Sequence, residues 1–204
     1  MKTLKLYSDN PNQNYIDEAV EALRAGEIVI YPTDTLYALG CDALNNRAIE
    51  RLCRIKGINP DKNLLSVVCD ELSQVAEYAR VDNRAFRLLK EYLPGPFTFV
   101  LPASTTLPKV FKGRKTVGVR IPDNNIARAL ARALGHPVLS SSVELEDEYE
   151  TPDGEALGLR YEGQPEVSII LDGGEGGFTP STVVDCTDSS APEIIRQGAG
   201  KIEL

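Results

Sequence analysis

The stretch Ile28–Ala43, I-V-I-Y-P-T-D-T-L-Y-A-L-G-C-D-A, constrains the fold of this chain more than any other. Ile28, Val29 and Ile30 form a short apolar run that suits a buried strand. Tyr31-Pro32 ends it, because proline has no N–H to give to a ladder. Thr33, Asp34 and Thr35 then fall just past the carboxyl end of the strand, where open α/β sheets present functional side chains. The same three residues also suit a plain turn, in which Asp and Thr bond their own backbone.

Around this strand the pattern alternates between period 2 and period 3.6. Leu4 to Tyr7 reads as a strand and Asn14 to Ala25 as a helix, with Ile16, Ala19, Val20 and Leu23 on one face and Gly26 at its end. Asn46 to Lys56 is helical through Ile49, Leu52 and Ile55, carries Arg47, Arg51 and Arg54 on the other face, and stops at Gly57. Lys56 therefore lies at a helix C-terminus, where a cation is favoured by the dipole alone. The loop I-N-P-D-K-N brings Lys62 and leads to a strand over Leu64 to Cys69. Helices over Leu72 to Tyr78 and Asn83 to Tyr92 follow, the second with Phe86, Leu89 and Tyr92 on one side. After Pro94-Gly95-Pro96 come strands at Phe97 to Leu101 and Thr116 to Ile121, separated by the basic cluster K-G-R-K at 112–115. Arg120 thus ends a strand with a cation. Asn124 caps a helix to Leu134, and Val138-Leu139 runs into Ser140, Ser141 and Ser142. Crowded acids at 144–150 read as a solvated, mobile loop. The glycine run D-G-G-E-G-G-F-T-P-S lacks the ending of a phosphate loop and reads as a flexible connection between strands at Val167 to Leu171 and Thr182 to Asp185. Glu193 to Arg196 is a last short strand.

At 204 residues the chain suits one domain over 1–204. No apolar run approaches the ~20 residues that span a bilayer, and no leader is visible, so no membrane partner is expected. Cys41, Cys53, Cys69 and Cys186 are widely spaced in apolar surroundings, which suits reduced core thiols and a cytoplasmic location. The lone His136 reads as structural. Residues 1–140 hold 19 Lys+Arg against 15 Asp+Glu, whereas residues 141–204 hold 3 against 15. The acidic total argues against indiscriminate nucleic-acid binding, yet the first part can still form a local cationic patch.

In order along the chain, Y-P-T-D-T-L-Y-A-L-G-C-D-A, I-K-G, P-G-P-F-T, V-G-V-R-I-P, the triple-serine strand end, P-S-T-V-V-D and I-I-R-Q-G resemble the YrdC-like family, whose founding activity is threonylcarbamoyl-AMP synthesis. The resemblance implies an α/β fold: a single twisted, open, mixed sheet flanked by helices, with a cationic groove. It implies a reaction in which threonine and bicarbonate give a carbamate whose oxygen attacks the α-phosphorus of ATP and expels pyrophosphate. Such chemistry depends on positioning and on cations that offset developing charge. ATP is then a substrate, Mg²⁺ a candidate cofactor, and tRNA or double-stranded RNA a candidate partner; no dedicated metal ligands are expected. By the same resemblance Thr33, Thr35 and Tyr37 line an amino-acid pocket, Lys56 faces bicarbonate and phosphate, and Arg120, Ser142, Ser181 and Arg196 hold the nucleotide.

Two positions depart from the synthase pattern. The family's K-x-R reads Lys56-Gly57-Ile58, and its S-x-N reads Ser142-Val143-Glu144. Isoleucine offers no donor where arginine offers a bidentate fork, and a carboxylate repels phosphate unless a cation intervenes. With F-T-F-V-L and the missing S-A-N, these changes resemble the YciO branch. Lys62 and the 112–115 cluster are candidates to replace the lost arginine. Three readings stay open: a carbamoyl-adenylate-forming enzyme, a noncatalytic nucleotide- or RNA-binding protein, and a protein-binding relative whose acidic loop closes over the groove.

Overall fold

In the first helix, α1 (Gln13–Arg24), Ile16, Ala19, Val20, Ala22 and Leu23 are buried, while Asn12 caps it by accepting from the Asn14 N–H. The same local logic holds along the chain in the computed structural model, which describes residues 1–60, 62–112, 115–143 and 152–204. Asn45, Asp82 and Asn124 cap α2 (Asn46–Lys56), α4 (Asn83–Tyr92) and α6 (Asn125–Leu134) in the same way. Gly57 and Gly135 end α2 and α6 in the left-handed region, at φ 64° and 84°, where a side chain is strained. The other helices are α3 (Leu72–Tyr78), α5 (Lys109–Lys112) and α7 (Gly154–Arg160).

Ten strands form one mixed sheet: β1 (Lys2–Lys5), β2 (Ile28–Tyr31), β3 (Ala38–Asp42), β4 (Ser66–Val68), β5 (Phe97–Pro102), β6 (Thr116–Arg120), β7 (Val138–Ser142), β8 (Val167–Asp172), β9 (Thr182–Asp185) and β10 (Glu193–Arg196). Their order is β1-β8-β2-β3-β7-β4-β6-β5-β9-β10. β8 pairs in parallel with β1 and β2, as β6 does with β4 and β9 with β5, while the remaining pairings are antiparallel. α1 and α6 cover one face, where Leu23, Leu130 and Ile126 meet Val29, Val68 and Val138. α2, α3 and α4 cover the other, where Leu52, Val75 and Leu89 meet Ile30, Leu39, Val67 and Val119. Full burial of each such side chain stabilises by roughly 1.5–3 kcal/mol.

The expected elements are present, and the short α5 between β5 and β6 is an addition to them; four further differences stand out. The first strand is Lys2–Lys5, two residues earlier than the Leu4 to Tyr7 reading, because its ladder partner β8 fixes Leu4 opposite Leu171. β3 follows the P-T-D-T segment at once and was not expected; all five of its residues are buried, which hides the alternation of a half-exposed strand. α7 was not expected either: it starts where Asp153, in T-P-D-G, accepts from the Glu155 and Ala156 N–H groups. Phe86 is 45% exposed, so the inner face of α4 runs through Ala85 and Leu89, with Leu88 and Tyr92 packed alongside. The acidic run 144–150, and Gly113 and Arg114 of the basic cluster, lie outside the described residues. No described helix is long and apolar enough to cross a membrane.

Candidate functional site

Paired residues share a face of a sheet, so the registers define a row across it. Gly40 on β3 lies opposite Ser140 on β7, Ser140 opposite Ser66 on β4, Ser66 opposite Gly118 on β6, and Gly118 opposite Val100 on β5. The row crosses five strands, about 19 Å at ~4.8 Å per spacing. Its small side chains make a trough beside the region roofed by α1 and α6. The small size is required: a Cβ at Gly118 would collide with Ser66 Oγ, and one at Gly40 would lie 2.6 Å from the Tyr31 ring. Tyr31 reaches over Gly40 and donates its hydroxyl to Ser140 Oγ at 2.8 Å.

The P-T-D-T segment lies against this trough. Thr33 Oγ1 accepts from the Thr35 N–H, lies 3.0 Å from Thr35 Oγ1 and donates to the Leu36 carbonyl. This is the turn bonding that the residue types allow, and it leaves the tips of the segment aimed at β6. There Arg120 Nη2 donates to Asp34 Oδ1 at 2.8 Å and to Thr35 Oγ1 at 3.0 Å. Asp34 Oδ2 accepts the Asp123 N–H. Arg120 is 5% exposed, and its buried Nε has no hydrogen-bond partner. Burial pulls this guanidinium below its ordinary pKa, the Asp34 charge opposes that shift, and the nearby Arg196 adds to it.

Arg196 belongs to a second cluster. Its Nη2 donates to the Ser181 carbonyl at 2.8 Å and to Ser181 Oγ at 3.2 Å, and Ser181 Oγ lies 2.8 Å from Thr98 Oγ1. Thr98 sits on β5 beside β6, which places this cluster next to Arg120. At the other end of the trough Lys56 Nζ donates to the Ser142 carbonyl at 2.8 Å. Lys62 is exposed in the turn that follows α2, and Ile58 packs against the core.

Tyr37 is buried, donates its hydroxyl to the Gly174 carbonyl at 2.7 Å and accepts the Gly173 N–H. Burial raises this phenol far above its ordinary pKa, so it stays a donor. The glycine run read as a flexible connection is anchored. Gly176 N–H donates to the Pro152 carbonyl and Gly177 N–H to that of Thr35. A Cβ at Gly176 would stand 2.6 Å from the Tyr37 ring, and one at Gly177 would collide with the Thr35 carbonyl oxygen. Glycine here permits close backbone approach, the reading that its density in sequence also allows.

The structure thus joins Thr33, Thr35 and Arg120 in one cluster, Ser181 and Arg196 in a second, and Lys56 with Ser142 in a third, while Tyr37 props the glycine segment. Reasoning from sequence missed Asp34 as the counter-ion of Arg120 and Thr98 as the partner of Ser181. A hydroxyl-lined trough with cations along it can receive an anion and orient it. His136 has Nε2 2.7 Å from Asp42 Oδ1. Among the described residues no cluster of His, Cys, Asp and Glu could hold a metal ion.

Comparison with known proteins gives a consistent picture. The family model Sua5_yciO_yrdC, described as "Telomere recombination", matches residues 21–198. The uncharacterized protein YciO of Escherichia coli K12 is 42% identical over 201 residues, which are 97% of this chain and 96% of that one. The threonylcarbamoyl-AMP synthase of Bacillus subtilis is 32% identical over 207 residues, 97% of this chain but 59% of that protein. The crystal structure of E. coli YciO superposes with a TM-score of 0.89 at 41% identity, covering 98% of each chain. That of Pyrococcus abyssi Sua5 complexed with L-threonine gives 0.85 at 30% identity, covering 97% of this chain and 58% of the other.

Proposed function

Because this chain belongs to the Sua5–YciO–YrdC family, we propose that it is an ATP-using enzyme that makes threonylcarbamoyl-AMP or a related carbamoyl-adenylate, in support of tRNA modification. The observation that carries this reading is the buried Arg120, whose Nε is left without a partner beside the Thr33–Thr35 hydroxyls. An unpaired buried donor costs about 1–3 kcal/mol, which an anionic ligand group at that position would recover. Sua5 crystallised with L-threonine makes an amino-acid carboxylate a reasonable candidate.

In this scheme the amine of threonine adds to bicarbonate, losing water to give a carbamate. A carbamate oxygen then bonds to the α-phosphorus of ATP as the bond to the bridging oxygen breaks, and pyrophosphate leaves. Thr33 and Thr35 would orient the amino acid, Arg120, given to the nucleotide by the family resemblance, would here also reach the amino-acid carboxylate from the same cluster, and Tyr37 would hold the glycine segment over it. Lys56, Ser142, Ser181 and Arg196 would position the phosphates, with Lys62 supplying charge that Ile58 cannot. Mg²⁺ would come with the triphosphate and neutralise it.

The test is threonine-dependent pyrophosphate release from ATP in bicarbonate buffer with Mg²⁺. Wild type should release pyrophosphate, Lys56→Ala should abolish the signal, and Lys62→Ala should weaken ATP binding. Silence from wild type with every amino acid would reject the enzyme reading. A second reading, a noncatalytic nucleotide- or double-stranded-RNA-binding protein, is favoured by one observation: Lys56 Nζ is engaged by the Ser142 carbonyl, and Ile58 adds no donor. Binding to structured RNA that weakens steeply with salt would support it, and its absence would count against it.

A further inference from the structure

Resting on the enzyme reading, we infer that Phe178 is the stacking platform for the nucleobase, the residue that makes this site select a nucleotide over a bare polyphosphate. Phe178 is 53% exposed, in a protein where Tyr31, Tyr37, Phe97, Phe99 and Phe111 are buried. Among the described residues the other large exposed aromatics are Tyr7, after β1, and Phe86, on α4. Phe178 alone lies on a segment that builds the candidate site.

Its position is fixed from both sides. On the N-terminal side, Gly177 N–H is bonded to the Thr35 carbonyl at 2.9 Å, with the backbones too close for a Cβ. On the C-terminal side, the Pro180 carbonyl accepts the Ala199 N–H at 2.8 Å, and Ser181 is held by Thr98 and Arg196. Only Phe178 and Thr179 lie between these anchors. The aromatic ring is therefore carried on a short, tethered bridge from the Thr35–Arg120 cluster to the Ser181–Arg196 cluster, and remains half open to solvent.

Exposing a phenylalanine that the core could have taken has a cost, and an aromatic on a tethered backbone at the edge of a polar site offers a π-face at a fixed place in the chain. Stacking a base on such a ring is tolerant of base identity and contributes binding that phosphate contacts cannot supply. The cations of the site would hold the phosphates of either ligand equally, so the ring is where a nucleotide gains over inorganic triphosphate.

The experiment measures binding of ATP and of inorganic tripolyphosphate, both with Mg²⁺, to wild type, Phe178→Ala and Phe178→Trp. The chain has no tryptophan, so Phe178→Trp adds a single indole that can be excited apart from the tyrosines. Phe178→Ala should weaken ATP binding by roughly 5- to 150-fold and leave tripolyphosphate within about twofold. The tryptophan variant should bind ATP and lose emission on adding it, with no change on adding tripolyphosphate. Unchanged ATP affinity in Phe178→Ala, or equal loss for both ligands, would overturn the stacking role while the enzyme reading stood. Failure of wild type to bind ATP would overturn both.

Discussion

Arg120 and Asp34, 86 positions apart, form a buried ion pair, Nη2 to Oδ1 at 2.8 Å, with side chains only 6% and 9% exposed. It fastens the P-T-D-T segment to β6, so site geometry and fold stability share one contact. Breaking a buried pair from one side leaves an uncompensated charge and costs about 3–5 kcal/mol. Asp34→Ala and Arg120→Met should each lose stability of that order in urea unfolding, with the double variant losing clearly less than the sum. Strict additivity would show that the two residues are not coupled.

The row of small residues is set by contact between neighbours. Gly118→Ala should cost about 1–3 kcal/mol, because its Cβ meets Ser66 Oγ and lies 3.0 Å from Thr98 Cγ2. Ser66→Gly in the same chain should recover part of the loss. Thermal unfolding of the single and double variants decides this, and no recovery would mean that Ser66 is not the obstacle.

The glycine segment gives a sharper contrast. Gly177→Ala should lift the backbone from Thr35 and lower threonine-dependent pyrophosphate release at least tenfold, since small displacements of positioning groups are costly. Gly163→Ala, with open space around its Cα, should behave as wild type. Equal activity in both variants would show that the Gly177–Thr35 contact does not position the site.

Acid sensitivity should trace in part to Asp42. Burial works against its carboxylate, yet bonds from His136 and the Leu44 N–H, and the charges of His136 and Arg24, hold its pKa below the ordinary value. Folded Asp42 therefore binds fewer protons than unfolded Asp42 as pH falls below about 4. Its contribution is present above the unfolded pKa and is lost as pH drops through the folded one. Asp42→Asn should flatten the urea-stability profile in that acid window, and an unchanged profile would remove Asp42 from the account.

Much of the fold was legible because it is written locally. Gly57 ends α2 and Asn124 caps α6, as read from the sequence, through bonds that span no more than four residues. β3 was not legible, because a strand buried on both faces carries no alternation. Of the site, Thr33, Thr35 and Arg120 could be singled out by position at strand ends, but their mutual contact could not. The glycine run was misread because density of glycine signals either freedom or close approach, and only a neighbour decides which.

By itself the sequence determined the kind and sequence order of most elements and the family motifs that they carry, since periodicity, caps and breakers act over a few residues. Tertiary structure alone decided that Gly40, Ser140, Ser66 and Gly118 align in one row, that Asp34 neutralises Arg120, and that Phe178 stands between two clusters. Those facts depend on which strands pair and in what register. Pairing is settled by burial and hydrogen bonding between segments far apart in the chain, which no local pattern encodes.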